Sequence, residues 1–125
     1  MNSLAVIFLT MTTHFGLPDG LLSSLCYVES THNPNAIHRD DGNTDSIGLC
    51  QIKYKTAKGM GYNGTEKQLL EPTTNAYYSA MYLKKQIKRY KSVQRGVIAY
   101  NRGNSKNLTT SRYQRKVYSI WNKSN

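Results

Sequence analysis

Acidic side chains are scarce in this chain. Its 125 residues include seven, namely Asp19, Glu29, Asp40, Asp41, Asp45, Glu66 and Glu71, against seventeen Lys and Arg. Any carboxyl chemistry must therefore come from a short list. Cysteine is nearly absent as well. Two residues, Cys26 and Cys50, cannot build a disulfide framework. Both are expected to be buried thiols acting as small apolar groups, and a single bridge forms only if their segments touch. The chain also lacks repeats, low-complexity tracts and linker-like runs, so residues 1–125 are read as one domain. The apolar run Leu4–Leu9 is too short to cross a membrane. It has no basic flank and no clear cleavage site, so it is expected to be a first core helix rather than a signal peptide. No zinc-finger, RNA-recognition or basic-zipper spacing is present, which argues against nucleic acid as the partner.

What is abundant is positive charge and tyrosine. The formal net charge is +10. Such an excess is either a solvated basic face or a surface for an anionic polymer, and the anionic bacterial envelope is such a polymer. Ten tyrosines is a high number for this length. The flat apolar ring with a hydroxyl suits a carbohydrate surface and also suits ordinary amphipathic packing.

Helical periodicity dominates. A first helix is expected over Ser3–His14. A second carries Leu21, Leu22, Leu25 and Val28 on one side, with Pro18 in its first turn, and stops near Ser30 ahead of Asn33-Pro34. Residues 33–45 form a polar loop with short strand or turn pieces. Thr56-Ala57 begins a short helix. Ala76, Ala80, Leu83, Ile87 and Tyr90 mark the clearest helix, with Lys84, Lys85, Lys88 and Arg89 outside. Ser92 caps a shorter helix through Tyr100, and Tyr113, Val117, Ile120 and Trp121 mark the last. The fold class is mainly α, with four or five helices and a polar loop and short-strand region beside a cleft.

Three short segments carry the candidate chemistry. Glu29 closes an apolar helix in which Leu25, Cys26 and Val28 precede it. The helix dipole and the apolar surroundings both favour its protonated form, which suits an acid catalyst. On position alone it could equally be an exposed helix-end acid. Ser46-Ile-Gly-Leu-Cys-Gln-Ile52 combines a glycine for close backbone approach with the Gln51 amide, which can bind sugar hydroxyl or acetamido groups. Ala99-Tyr100-Asn101 adds a phenol and a second amide. Each alone is weak, and their order together is specific. His32, His38 and the nearby aspartates lack a recognised ligand spacing, so no metal site and no cofactor is expected.

With VES, NPNAI, GLCQI, NAYYSAMYL and AYNRG in that order, the chain resembles the soluble lytic murein transglycosylases, a lysozyme-like family, over nearly everything from Phe15 to Tyr118. The likeness is greatest to the small members of phage particles and secretion systems. The resemblance implies a lysozyme-like domain acting on peptidoglycan glycan strands as a monomer. It implies Glu29 as sole catalytic acid, Tyr100 as the tyrosine that hydrogen-bonds the acid, and Gln51 and Asn101 as substrate-binding. Ser30 matches a serine of local structural importance. A substrate-contacting serine of many members is replaced by His38, and Ser46 can take its place because the intervening loop is longer. It also implies action in the bacterial periplasm or cell wall, with delivery by a phage holin or virion. Two alternatives stand beside it. Goose-type lysozymes share the fold and hydrolyse the same bond with an acid in the loop that here holds Asp40, Asp41 and Asp45. A noncatalytic wall-binding protein is the other.

Overall fold

The computed structural model describes residues 3–39, 45–104 and 107–124. Among the described residues there are six α-helices: α1 (Ser3–Phe15), α2 (Leu21–Ser30), α3 (Tyr54–Gly59), α4 (Pro72–Tyr90), α5 (Val93–Arg102) and α6 (Arg112–Ser124). Three two-residue strands, β1 (Ile37–His38), β2 (Ser46–Ile47) and β3 (Ile52–Lys53), form an antiparallel sheet in the order β1-β2-β3. The mainly α class with a short-strand region matches the sequence expectation; six helices stand where four or five were anticipated, and the short α3 covers the expected Thr56-Ala57. Pro18 lies ahead of α2 rather than in its first turn, because the left-handed Gly20 starts that helix and Pro18 contributes a carbonyl to Leu21 N. The expected strand pieces near Asp41-Gly42-Asn43 fall outside the described residues.

The long helix α4 is the axis of the fold. Its start is capped by the Glu71 carboxylate, which accepts from Thr73 N at 2.8 Å and Thr74 N at 3.1 Å, and Pro72 follows in the first turn. Helices α1 and α5 pack along it, while α2 and α6 pack together. The apolar faces meet in one cluster that includes Phe8, Leu21, Leu25, Leu83, Val97 and Val117. A second, smaller cluster of Ile47, Ile52, Ala57, Tyr62 and Leu69 supports the sheet. Trp121 Nε1 donates to Asp19 O at 2.7 Å and ties α6 to the α1–α2 turn.

Between β2 and β3 the chain makes the tight turn Gly48-Leu49-Cys50-Gln51. Its polar backbone is buried, so its hydrogen bonds must be met internally. Asn75, fully buried on α4, does this. Its Oδ1 accepts from Cys50 N at 2.9 Å, and its Nδ2 donates to Ile47 O at 2.8 Å and Leu69 O at 3.0 Å. The amide comes so close that a Cβ on Gly48 would lie 2.5 Å from Asn75 Nδ2, and Gly48 has φ +76°. Leu49 is buried beneath the turn, and Cys50 is joined to Cys26 of α2 by a disulfide. The expectation of two separate thiols is thus corrected: α2 and the turn pack face to face, which brings both buried sulfurs together.

Gly48→Ala combines a left-handed backbone with a steric clash against a buried, fully bonded amide. It is expected to destabilise the fold by about 2 kcal/mol or more. Gly59→Ala, where an added Cβ meets nothing within 4 Å, is expected to be neutral within about 0.5 kcal/mol. Urea unfolding of both variants checks the contrast.

Candidate active site

The C-terminal end of α2 delivers Glu29 to the cleft, and the backbone reverses at once. Thr31 and His32 both adopt left-handed angles, with φ of 54° and 61°. Such angles are unfavourable for side chains with a Cβ and persist where the surroundings enforce them. Here Ser30 Oγ donates to Leu49 O at 2.6 Å and accepts from Asn33 N at 3.0 Å. His32 Nε2 lies 2.8 Å from Ser23 O, and its ring stands 5.0 Å from Phe8 and 5.4 Å from Tyr27. The serine after the acid thus bolts the end of α2 to the turn carrying Gln51.

A cleft of about 160 Å³ opens over this junction. Glu29, Ser46, Gln51, Tyr82, Tyr100 and Asn101 line it, with Ile52, Lys53, Thr56, Arg102 and Gly103 completing the wall. Five of the six sequence candidates, Glu29, Tyr100, Gln51, Asn101 and Ser46, are therefore brought together. His38 is not in the lining. It is exposed on β1, opposite Ser46 in the ladder.

Glu29 is half-buried, and Tyr113 Oη donates to its Oε2 at 2.7 Å. Burial raises its pKa from 4.5 to about 7, and the Tyr113 bond pulls the other way. At neutral pH the group divides between acid and carboxylate, the condition for giving and then taking a proton. Tyr113 itself is held protonated well above its usual range, first by burial and then by the Glu29 charge.

The phenol that the resemblance placed on Glu29 is elsewhere. Tyr100 Oη donates to Cys50 O at 2.7 Å, and its ring packs 5.3 Å from that of Tyr82. A buried hydroxyl needs an acceptor, and the turn carbonyl is the one α5 presents to it. Tyr113 takes the place beside the acid. The sequence marked Tyr113 as part of the apolar face of the last helix, and nothing local to it signals a partner 84 residues away.

Gln51, at φ 53°, donates through Nε2 to Ala36 O at 3.1 Å and Gly48 O at 3.0 Å. Two carbonyl partners fix the orientation of the amide, leaving Oε1 as its acceptor for an incoming O–H or N–H. Of the other described acids, Asp19 and Glu66 lie outside the cleft lining as well. Glu71 caps α4, Asp45 is ion-paired with Arg39, and neither lines the cleft. Asp40 and Asp41 lie outside the described residues. Among the described residues no cluster of His, Cys, Asp and Glu is arranged to hold a metal, and no helix is long and apolar enough to cross a membrane.

Residues 7–121 match the transglycosylase SLT domain family. The chain belongs to this family. It is also 28% identical, over 92 residues, to the transglycosylase of Enterobacteria phage PRD1. That match covers 74% of this chain and 32% of the phage protein, so the chain spans about a third of the length of its relative. The SLT match encloses every residue of the cleft, from Glu29 to the Tyr113 that supports it.

Two outcomes follow from the electrostatics. The folded state holds the Glu29 proton more tightly than the unfolded chain between pH 4.5 and about 7. Its contribution to stability is therefore complete below pH 4.5 and is lost as pH rises through about 7. Glu29→Gln lacks this loss. Its unfolding free energy, followed by melting curves, should gain on that of the wild type as pH rises through the window, and the gap should level off above pH 8, at about 1–3 kcal/mol. In Tyr113→Phe, removal of the donor leaves burial unopposed and shifts the Glu29 pKa further up. The alkaline limb for the protonated acid should move to higher pH, with a fall in maximal rate of roughly tenfold. A pH–rate profile identical to that of the wild type would separate Tyr113 from the acid.

Proposed function

We propose that this domain cleaves the β-1,4 bond between N-acetylmuramic acid and N-acetylglucosamine in peptidoglycan and leaves 1,6-anhydromuramic ends. The observation that carries this reading is Glu29: among the described residues it is the one carboxyl in the cleft, poised near neutrality by burial.

Protonated Glu29 donates to the glycosidic oxygen, and the bond from C1 to that oxygen breaks. Positive charge develops at C1, and the substrate's own acetamido group stabilises it. The resulting carboxylate takes the proton of the muramic C6 hydroxyl, and O6 bonds to C1. The proton balance closes on one residue, and no water enters. Glycosidases that invert or retain with water use a carboxylate pair. A hydrolytic course would draw its second acid from the loop, and there Asp45 is engaged by Arg39. Tyr113 orients the acid, Gln51 and Asn101 receive sugar polar groups, and Tyr100 keeps the turn beneath them in place. The phage relative supports a role in host-wall lysis or in entry of a virion, with the basic surface favouring capture by an anionic envelope.

Mass spectrometry of unreduced muropeptides released from purified sacculi tests the chemistry. Anhydro ends are expected to dominate. Reducing ends, heavier by one water, would shift the reading to hydrolysis, and no release at all would leave a wall-binding protein. Glu29→Gln should lower release by ~10²–10⁴-fold or more while retaining the helical circular dichroism spectrum.

A further inference from the structure

The chain carries ten tyrosines, and the lining of the catalytic cleft uses two of them, Tyr82 and Tyr100. Three others line a second cavity, of about 360 Å³, which shares no residue with the cleft. It opens between α1, α4 and the loop that follows α3. Tyr77 and Tyr78 of α4 and Tyr62 of the loop supply its aromatic walls. Met11 of α1 is its buried apolar side, and Asn63, Thr73 and Thr74 add an amide and two hydroxyls. The volume falls in the ~300–1,000 Å³ range of sites for small ligands.

The rings are held in place before any ligand arrives. Tyr78 meets Tyr62 edge-on at 5.2 Å and Tyr77 at 5.0 Å, and Tyr77 packs 5.3 Å from Phe15. Tyr62 Oη donates to Thr65 O at 2.7 Å. Tyr77 and Tyr78 are half-buried, yet among the described residues their hydroxyls have no hydrogen-bond partner. Thr74 Oγ1 donates to Glu71 Oε1 at 3.0 Å, so its proton is committed and its oxygen is left as an acceptor. Glu71 also takes the Thr73 and Thr74 amides, so the start of α4 offers no donors for an anion here. No acid and no base lines the cavity, in a chain with seventeen Lys and Arg.

These features select the occupant. A charged ligand finds no counter-ion among the lining side chains. A hydrocarbon would cover the amide and the phenol hydroxyls without answering them, which is unfavourable. A pyranose ring brings a C–H face for the phenol rings and a rim of hydroxyl and acetamido groups for the polar atoms between them. We propose that this cavity is a second glycan-binding site, which holds an uncharged N-acetylated sugar ring of the wall polymer away from the catalytic cleft. This rests on the peptidoglycan reading and names a further place where the same polymer is held. A polymer engaged at two places is retained more tightly than at either alone. The cavity touches no reacting atom, so its loss raises KM and leaves kcat unchanged.

Half-saturation for muropeptide release from sacculi is measured for wild type, Tyr77→Ala and the pair Tyr77→Phe/Tyr78→Phe, with melting curves as the fold check. The Phe pair keeps the rings and their packing and removes only two hydroxyls, so it decides the matter even where Tyr77→Ala does not fold. Tyr77→Ala should need roughly two- to tenfold more substrate for half-maximal rate, and the Phe pair roughly two- to fivefold. Unchanged half-saturation in the Phe pair, or a loss confined to kcat, overturns the proposal. Amide NMR of Glu29→Gln titrated with chitotetraose locates the sugar. Shifts at residues 62–63 and 73–78 are expected beside those in the cleft, and they should weaken when the Phe pair is added. Shifts in the cleft alone, with release by the wild type, sink the second site and keep the reaction. Shifts at the cavity without release by the wild type sink the reaction and keep the site.

Discussion

The buried amide of Asn75 meets the polar backbone of the turn that carries Gln51. With one oxygen and one nitrogen it satisfies Cys50 N, Ile47 O and Leu69 O. A turn of this kind cannot lie in a core unless its donors and acceptors are answered, since each orphaned group costs about 1–3 kcal/mol. The close approach that the amide requires leaves room for only a hydrogen at Gly48. Three further ties converge on the same few residues: Ser30 on Leu49 O, the Cys26–Cys50 disulfide, and Tyr100 on Cys50 O. Helices α2, α4 and α5 are therefore referred to one short segment, and the cleft is the space left above it.

That arrangement explains how a half-buried carboxyl is tolerated. The fold gives Glu29 too little water to ionise freely and a single phenol to offset the loss. The cost in stability above neutrality is the counterpart of a proton held ready in the cleft. Family membership and this electrostatic condition point the same way from independent grounds. The first rests on residues 7–121 as a pattern, the second on one side chain and its surroundings.

Much of the fold was legible in the sequence. Leu21, Leu22, Leu25, Ala76, Ala80, Leu83 and Val97 fall at helical spacing, and all are fully buried. The caps at Ser92 and the break before Asn33-Pro34 are local chemistry, and local chemistry is what a sequence displays. The order of the Glu-Ser, Gly-Leu-x-Gln-Ile and Ala-Tyr-Asn segments was enough to gather Glu29, Gln51, Tyr100, Asn101 and Ser46 in one cleft. His38, opposite Ser46 in the ladder, shows the limit of such reasoning: it shares that face of the sheet, but on the outer strand β1 it lies beyond the cleft lining.

By itself, the sequence determined the helices, the buried face of each and the short list of acids from which a catalyst can come. Periodicity and composition encode those directly. Tertiary structure alone decided which phenol serves the acid. Tyr100 and Tyr113 are both amphipathic residues on helical faces, and each hydroxyl must find an acceptor once buried. Whether the acceptor is Cys50 O or Glu29 Oε2 depends on how α5 and α6 pack against α2, across separations of 50 and 84 residues. The meeting of Cys26 with Cys50 has the same origin. A pattern read along the chain specifies that a face is buried, and only the packing of distant faces specifies what it is buried against.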